Sequence, residues 1–212
     1  MNENSISEKD SLVEDSTPGA ERHPNAKFWA DMSATLSQFL PYLPTPAIIA
    51  LFIFSDPGAF SVLVGTLLVI AGFLWRLYTK AYLLEQEENL SSASSRYKHG
   101  PFKVVRGPLQ MGNTVISLGV CIYAASLYGV VIIFPLAILY FYLDLYNEET
   151  ERLAEDQTFY SEYKLNVPAI FPISRPGHLE FSKARHYEQG FTKEIPTYIK
   201  IGVLLLVMSL FG

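Results

Sequence analysis

Residues 109–146 read LQMGNTVISLGVCIYAASLYGVVIIFPLAILYFYLDLY, and this apolar stretch decides the fold. A helix needs roughly 20 residues to cross a hydrocarbon core, and this stretch is long enough for two helices of nearly that length. The only break is at residues 126–129, between candidate spans at about 109–127 and 130–146. The stretch therefore predicts a tight helical hairpin within a membrane.

Further apolar segments flank this hairpin. Residues 33–54, with three prolines, and residues 59–83 are each long enough to span a membrane. Residues 199–211 are apolar but short, which suits a re-entrant or interfacial helix or a marginal span. Because open sheet edges are excluded from lipid, we predict an all-α polytopic membrane protein with four to five transmembrane helices.

The chain has 212 residues and a net charge of −5, so nucleic acid is not an expected partner. Residues 1–31 are polar and acidic, lack apolar periodicity, and are predicted to form a disordered tail. Residues 32–212 then form one membrane domain. The single cysteine, Cys121, excludes an intrachain disulfide and a Cys-rich metal site, and no metal is expected.

The distribution of Lys and Arg predicts the orientation. The short links at 55–58 and 126–129 contain neither residue, whereas the polar segments 85–108 and 148–196 contain several. The positive-inside rule places the N-terminal tail and both polar segments in the cytoplasm. These segments flank the hairpin, so they meet at its base, and we expect the active site there, capped by the C-terminal polar segment.

The first candidate cluster is GPFKVVRGPLQMG at residues 100–112. Pro108 suits the first turn of a helix, whose free amides, with Arg106 beside them, favour a carboxylate or phosphate ligand. Gly107 and Gly112 allow a ligand to approach the backbone closely. The alternative is a basic loop leading into the membrane, with Arg106 paired to lipid phosphates.

Two more clusters follow the hairpin. Glu148 and Glu149 can hold a cationic ligand or pair with Arg106, or Glu148 can form a simple i,i+4 pair with Arg152. The third cluster, YSEYKLNVPAIFP at residues 160–172, predicts a helix that ends before a proline. That segment can act as a lid over the site or as an interfacial anchor.

The three clusters in this order resemble the C-terminal core of the isoprenylcysteine carboxyl methyltransferase and phospholipid methyltransferase family. The resemblance covers about residues 61–174. It implies an integral membrane enzyme that uses S-adenosylmethionine to methylate a lipophilic acceptor (a carboxylate, thiolate or amine). It also implies that the second span helps to line a lipid-side opening for that acceptor.

The resemblance assigns the cofactor to the first cluster and the Glu pair, with Arg106 and Glu149 as catalytic residues. The cofactor-binding set is His99, Gly100, Pro101, Phe102, Val105, Arg106, Gly107, Pro108, Gln110, Gly112, Glu148 and Glu149.

The sequence also departs from the family pattern. The family's Arg-His-Pro-x-Tyr-x-Gly is Arg-Gly-Pro-Leu-Gln-Met-Gly at residues 106–112, and its Phe-Gly is Asp156-Gln157. His99 is a candidate replacement for the missing His. These departures motivate one alternative, a catalytically inactive scaffold that binds lipid or a partner. A second alternative is an NADPH-dependent membrane reductase, because steroid and sterol reductases look similar in their last helices.

Overall fold

The computed structural model describes residues 44–89, 99–155, 157–172 and 184–211, and within these ranges the chain is all-α, as predicted. The predicted N-terminal tail lies outside the described residues. The α-helices are α1 (Pro44–Ile53), α2 (Ala59–Glu88), α3 (Pro108–Tyr123), α4 (Phe134–Glu155), α5 (Gln157–Asn166) and α6 (Ala184–Phe211). A 3₁₀ turn spans Gly100–Lys103, and a π-helical turn, Gly129–Ile133, leads directly into α4.

The predicted tight hairpin is confirmed by the turn between α3 and the π-helical segment. Ala125 has a φ of 50°, a left-handed conformation that reverses the chain within a few residues. Its amide donates to the Ile122 carbonyl at 2.9 Å, and the Gly129 amide donates to Ser126 Oγ at 3.2 Å. The sequence break at residues 126–129 therefore marks this turn to within two residues.

Close backbone contact joins α2 to α3. A Cβ atom on Gly65 would lie 2.5 Å from the Tyr123 nitrogen, and one on Gly119 would lie 2.8 Å from the Val69 nitrogen. Small residues of this kind let two apolar helices approach closely in a membrane. This packing fixes the position of α3 relative to α2, including the N-terminal end of α3.

Two of the described helices, Ala59–Glu88 and Gly129–Thr150, are long and apolar enough to cross a membrane. Along α2 a continuous apolar stripe faces outward: Phe60, Leu63, Leu67, Ile70 and Leu74 are all exposed. The sequence predicted four to five membrane spans, and the described helices support two of them. Helix α3, at 16 residues, is shorter than the roughly 20 that a span needs, and residues 33–43 lie outside the described part.

The C-terminal helix differs from the prediction. Residues 199–211 are not a separate short segment, because α6 runs as one helix from Ala184 to Phe211 with Pro196 inside it. Its first half is polar and carries Lys193 and Glu194. Helix α6 packs on α2, where the rings of Tyr198 and Phe73 meet edge to face at 4.6 Å.

Candidate active site

The loop before α3 is held by aromatic packing. Gly100 has a φ of 61°, and a Cβ atom there would lie 2.5 Å from the ring of Tyr82, so only glycine fits. Phe102 is buried beside Tyr82, and its carbonyl accepts a 2.6 Å hydrogen bond from the Tyr163 hydroxyl. The first and third sequence clusters are therefore in direct contact, through Phe102 and Tyr163.

The segment after α5 closes over this loop. The amide of Arg106 donates to the Pro168 carbonyl at 2.8 Å, and the amide of Gly107 donates to the Ala169 carbonyl at 2.9 Å. These two amides are engaged by the protein itself. The first intrahelical bond of α3 runs from the Met111 amide to the Gly107 carbonyl at 2.9 Å, so any amides left for a ligand lie in the first turn of α3.

Glu149 is the centre of a buried charge cluster. Arg106 Nη1 lies 2.7 Å from Glu149 Oε1, and Lys164 Nζ lies 3.0 Å from Glu149 Oε2. The Arg106 and Glu149 side chains are only 10% and 5% exposed. The Arg106–Glu149 contact is an ion pair without hydrogen-bond alignment, and Arg106 Nε has no hydrogen-bond partner among the described residues.

Gln110 links α3 to two further carboxylates. Its side-chain amide donates to Asp144 Oδ2 and to Glu148 Oε1, both at 3.0 Å. Arg152 Nη2 lies 2.7 Å from Glu148 Oε2, which confirms the predicted i,i+4 pair. Asp144, Glu148 and Arg152 follow one another at four-residue spacing along one face of α4.

The polar groups at this end of the bundle balance in charge, with Arg106, Arg152 and Lys164 near three carboxylates. Tyr160 is buried beside them at 1% exposure. Burial, reinforced by the Glu149 carboxylate, raises the pKa of Tyr160 to about 12, so its hydroxyl is neutral at physiological pH. The site therefore combines compensated charges with a neutral phenol.

The residues assigned by sequence occupy different positions. Arg106, Gln110, Glu148 and Glu149 meet at the base of the hairpin, as expected. His99 is exposed, whereas Pro101, Phe102, Val105 and Pro108 are buried in the packing of the loop and the start of α3.

The two glycines expected to admit a ligand face protein atoms. A Cβ atom on Gly112 would lie 2.6 Å from Arg76 Cγ, and one on Gly107 would lie 3.0 Å from the Leu145 methyl groups. In this structure both glycines therefore permit close packing of side chains against α3.

Sequence reasoning missed Asp144 and gave Lys164 no role. Asp144 is the only charged residue between positions 107 and 146. A single ionisable residue in an apolar span, four positions before Glu148, is a signal for a functional site. Lys164 gave no such signal, because its contact with Glu149 depends on how α5 folds back on α4.

Two apolar cavities lie along α4. One, of about 510 Å³, lies along the seam between α3 and α4 and is also lined by α1 and α6. Tyr140, one turn from Asp144, and Ser117, two turns from Gln110, belong to its lining. The other, of about 370 Å³, lies between α4 and the segment from Pro168 to Phe171. Neither lining contains a residue of α2, whereas the sequence had predicted an opening lined by the second span.

A model of the phospholipid methyltransferase family matches residues 58–161, from the residue before α2 into α5. This range contains Arg106, Gln110, Asp144, Glu148 and Glu149, but neither Lys164 nor α6. No curated protein and no solved structure matches the chain significantly.

Proposed function

We propose that this chain, whose residues 58–161 belong to the phospholipid methyltransferase family, is an integral membrane methyltransferase that transfers a methyl group from S-adenosylmethionine to a lipid amine. The family is a methyltransferase family, and two apolar helices support a membrane location. The observation that carries the proposal is the buried Arg106–Glu149 pair within the matched residues.

The Arg106–Glu149 pair fits the methionyl end of S-adenosylmethionine, which carries a carboxylate and an ammonium group. Arg106 Nε and Nη1 and Glu149 Oε1 are buried atoms without hydrogen-bond partners among the described residues. The carboxylate of a bound zwitterion can accept from Arg106 and its ammonium can donate to Glu149, and these two contacts replace the 2.7 Å contact between Arg106 and Glu149. Lys164, at 3.0 Å from Glu149, holds that carboxylate in place.

Bound at this site, S-adenosylmethionine supplies an electrophilic methyl group on its sulfonium. The task of the protein is then to orient the acceptor and to exclude water. The segment that bonds Arg106 and Gly107 through the Pro168 and Ala169 carbonyls covers the loop and serves both purposes.

The carboxylates bound to Gln110 favour an amine acceptor over a carboxylate or a thiolate. Asp144 and Glu148 both accept hydrogen bonds from Gln110, and this pair repels an anionic acceptor. An amine must be neutral to attack a methyl group, and a neighbouring carboxylate can accept its proton. We assign this role to Asp144, because Glu148 is already paired with Arg152.

The apolar cavity of about 510 Å³ suits the hydrocarbon chain of such an acceptor. Its lining includes Tyr140, one turn from Asp144, and mostly apolar side chains of α3 and α4. A lipid with its amine at Asp144 can therefore place its chain in this cavity. This arrangement supports a lipid amine as the acceptor class.

The decisive experiment is calorimetric binding of S-adenosylmethionine and S-adenosylhomocysteine to the full chain in detergent, with NADPH as the comparison ligand. We expect saturable binding of both adenosyl compounds, and its loss in Arg106→Ala. The matched control is Lys103→Ala, which removes an exposed cation from the same loop and leaves binding unchanged.

Three results contradict the proposal in different ways. No binding to either adenosyl compound by the folded wild-type chain favours an inactive scaffold. Binding of NADPH instead favours a reductase. Equal loss of binding in Arg106→Ala and Lys103→Ala removes Arg106 from the site.

A further inference from the structure

A second buried ion pair joins α6 to α2, away from Glu149. Arg76 Nη2 lies 2.8 and 2.7 Å from the two carboxylate oxygens of Glu194, and Arg76 Nε donates to Oε2 at 3.0 Å. The side chains of Arg76 and Glu194 are 12% and 4% exposed. Lys80 Nζ lies 4.0 Å from Glu194 Oε1. The guanidinium therefore binds both oxygens of a nearly fully buried carboxylate.

The same arginine also contacts α3. Arg76 Nη1 donates to Asn113 Oδ1, so its guanidinium bridges Glu194 of α6 and Asn113 of α3. The stem of Arg76 fills the space beside Gly112. One residue earlier, the Trp75 indole N–H donates to the Pro108 carbonyl at 2.8 Å. Helix α2 thus holds the first two turns of α3 through two adjacent side chains.

Those two turns carry the polar group that arranges the proposed acceptor site. Gln110 lies between Pro108 and Asn113, and its amide holds both Asp144 and Glu148. By contrast, Glu149 is held by Lys164, and the Arg106 amide is held by the Pro168 carbonyl. The hydrogen bonds of Arg76 go instead to Glu194 and Asn113. The contacts of Arg76 therefore reach the acceptor side of the site rather than the cofactor side.

We propose that Glu194 is a positioning residue for methyl transfer: it fixes Arg76, which fixes the start of α3 and thereby Gln110 and the two carboxylates that receive the acceptor. This inference rests on the proposed function. A buried ion pair contributes little net stability compared with apolar packing, but it can specify one geometry. Glu194 lies outside the residues that match the family, so its role is supplied by the C-terminal helix.

The test is Glu194→Gln, which keeps the shape of the side chain and removes its charge. We expect kcat to fall about 10- to 100-fold, because a displacement of roughly an ångström far from the chemistry has effects of this size. Affinity for S-adenosylmethionine should stay within about twofold, since Arg106 and Glu149 are untouched. The matched control, Glu188→Gln, changes an exposed carboxylate on the same helix and leaves both quantities unchanged.

Arg76→Gln and the double variant provide a second criterion. If the two residues act as a unit, the double variant is no slower than either single variant, whereas independent effects multiply. Should Glu194→Gln not fold, Asn113→Ala removes only the contact between Arg76 and α3 and leaves the ion pair. It should then lower kcat with cofactor affinity retained.

Hydrogen exchange separates this inference from the proposed function. Glu194→Gln should speed amide exchange in peptides covering residues 108–114, and leave peptides covering 163–169 unchanged. Absence of S-adenosylmethionine binding by the wild-type chain would contradict the proposed function. The hydrogen exchange of residues 108–114 can still be measured in that case, because it does not depend on the cofactor. Unchanged exchange at 108–114, or a kcat equal to that of Glu188→Gln, overturns the positioning role.

Discussion

At the end of α2 and α3 nearest the hairpin turn, glycines bring the two backbones into contact, whereas at the opposite end polar side chains connect the helices. Gly65 and Gly119 leave no space for a Cβ atom. Trp75 and Arg76 instead bond to Pro108 and Asn113. The first end is held mainly by close backbone packing, with one side-chain hydrogen bond from Ser61 Oγ to the Tyr123 carbonyl at 3.5 Å. The second end places Gln110 beside two carboxylates. Stability and function are therefore expected to respond to changes at different ends of the same helix pair.

Among the changes at the two ends of the helix pair, Asp144→Asn is expected to have the largest effect on turnover. This substitution preserves shape and removes the proton acceptor, so turnover on an amine lipid should fall about 10²-fold, the lower range for general base catalysis. Cofactor affinity should not change. Transfer of labelled methyl groups to lipid vesicles containing an amine headgroup measures the effect.

The control for this prediction is Asp56→Asn, an exposed carboxylate in the link at the other end of α2. Equal activity of the two variants would show that the two ends of the helix pair do not differ in their effect on turnover. Activity of the wild-type protein on an anionic acceptor, and not on an amine, would contradict the assignment of an amine as the acceptor.

A smaller effect, on stability alone, is expected for Gly65→Ala. The new Cβ atom would lie 2.5 Å from the Tyr123 nitrogen, a backbone atom that moves only with the helix. We expect a loss of about 1–3 kcal/mol in the free energy of unfolding, typical of overpacking. Thermal unfolding in detergent measures it, and cofactor affinity of the folded protein should remain normal.

Gly202→Ala is the matched control, because nothing lies within 4 Å of a Cβ atom at that position of α6. Alanine is favoured over glycine in a helix, so this variant should be unchanged or slightly more stable. A loss of cofactor binding in Gly65→Ala would show that the glycine end also shapes the site.

The smallest effect at neutral pH is expected for the ionisation of Tyr160. Its pKa of about 12 lies above the ordinary tyrosine value of 10.0, so the folded state favours the neutral phenol. The stability contributed is fully present below about pH 10 and is lost as the pH rises to about 12. Tyr160→Phe should weaken this alkaline loss, and the loss of the hydrogen bond between its buried hydroxyl and Arg152 should cost about 1 kcal/mol at pH 7.

Thermal unfolding of both proteins from about pH 8 to about pH 12 tests the prediction. Identical alkaline slopes would show that Tyr160 titrates no differently in the folded and unfolded chains. The phenol would then contribute nothing to the electrostatics of the charged end.

Local patterns in the sequence predicted a good part of the structure. The apolar stretches predicted α2 and the hairpin, Val-Pro predicted the end of α5, and Glu148 with Arg152 had the spacing of a helical pair. Each of these features depends on residues close together in the chain. The likeness to the methyltransferase family, based on motif order, was confirmed by the match at residues 58–161.

Contacts between distant segments could not be read from such patterns. Arg76 and Glu194 are 118 positions apart, and nothing in their local spacing indicates that they meet. The sequence predicted free amides at the start of α3, but it could not show that the two amides just before α3, those of Arg106 and Gly107, bond to carbonyls of a distant segment. The apolar pattern predicted a short segment at residues 199–211, yet the helix begins at Ala184 and continues through Pro196.

The last helix has a consequence for engineering. Met208 of α6 is fully buried in the same apolar core as Val69 and Ile116, and the Tyr123 hydroxyl donates to the Leu205 carbonyl at 3.2 Å. A segment trimmed to the family boundaries at 58–161 would thus expose a core surface along its whole length. Transplanting the charged end of α3 and α4 into another scaffold requires a replacement helix that carries both an acidic side chain for Arg76 and an apolar one at the depth of Met208.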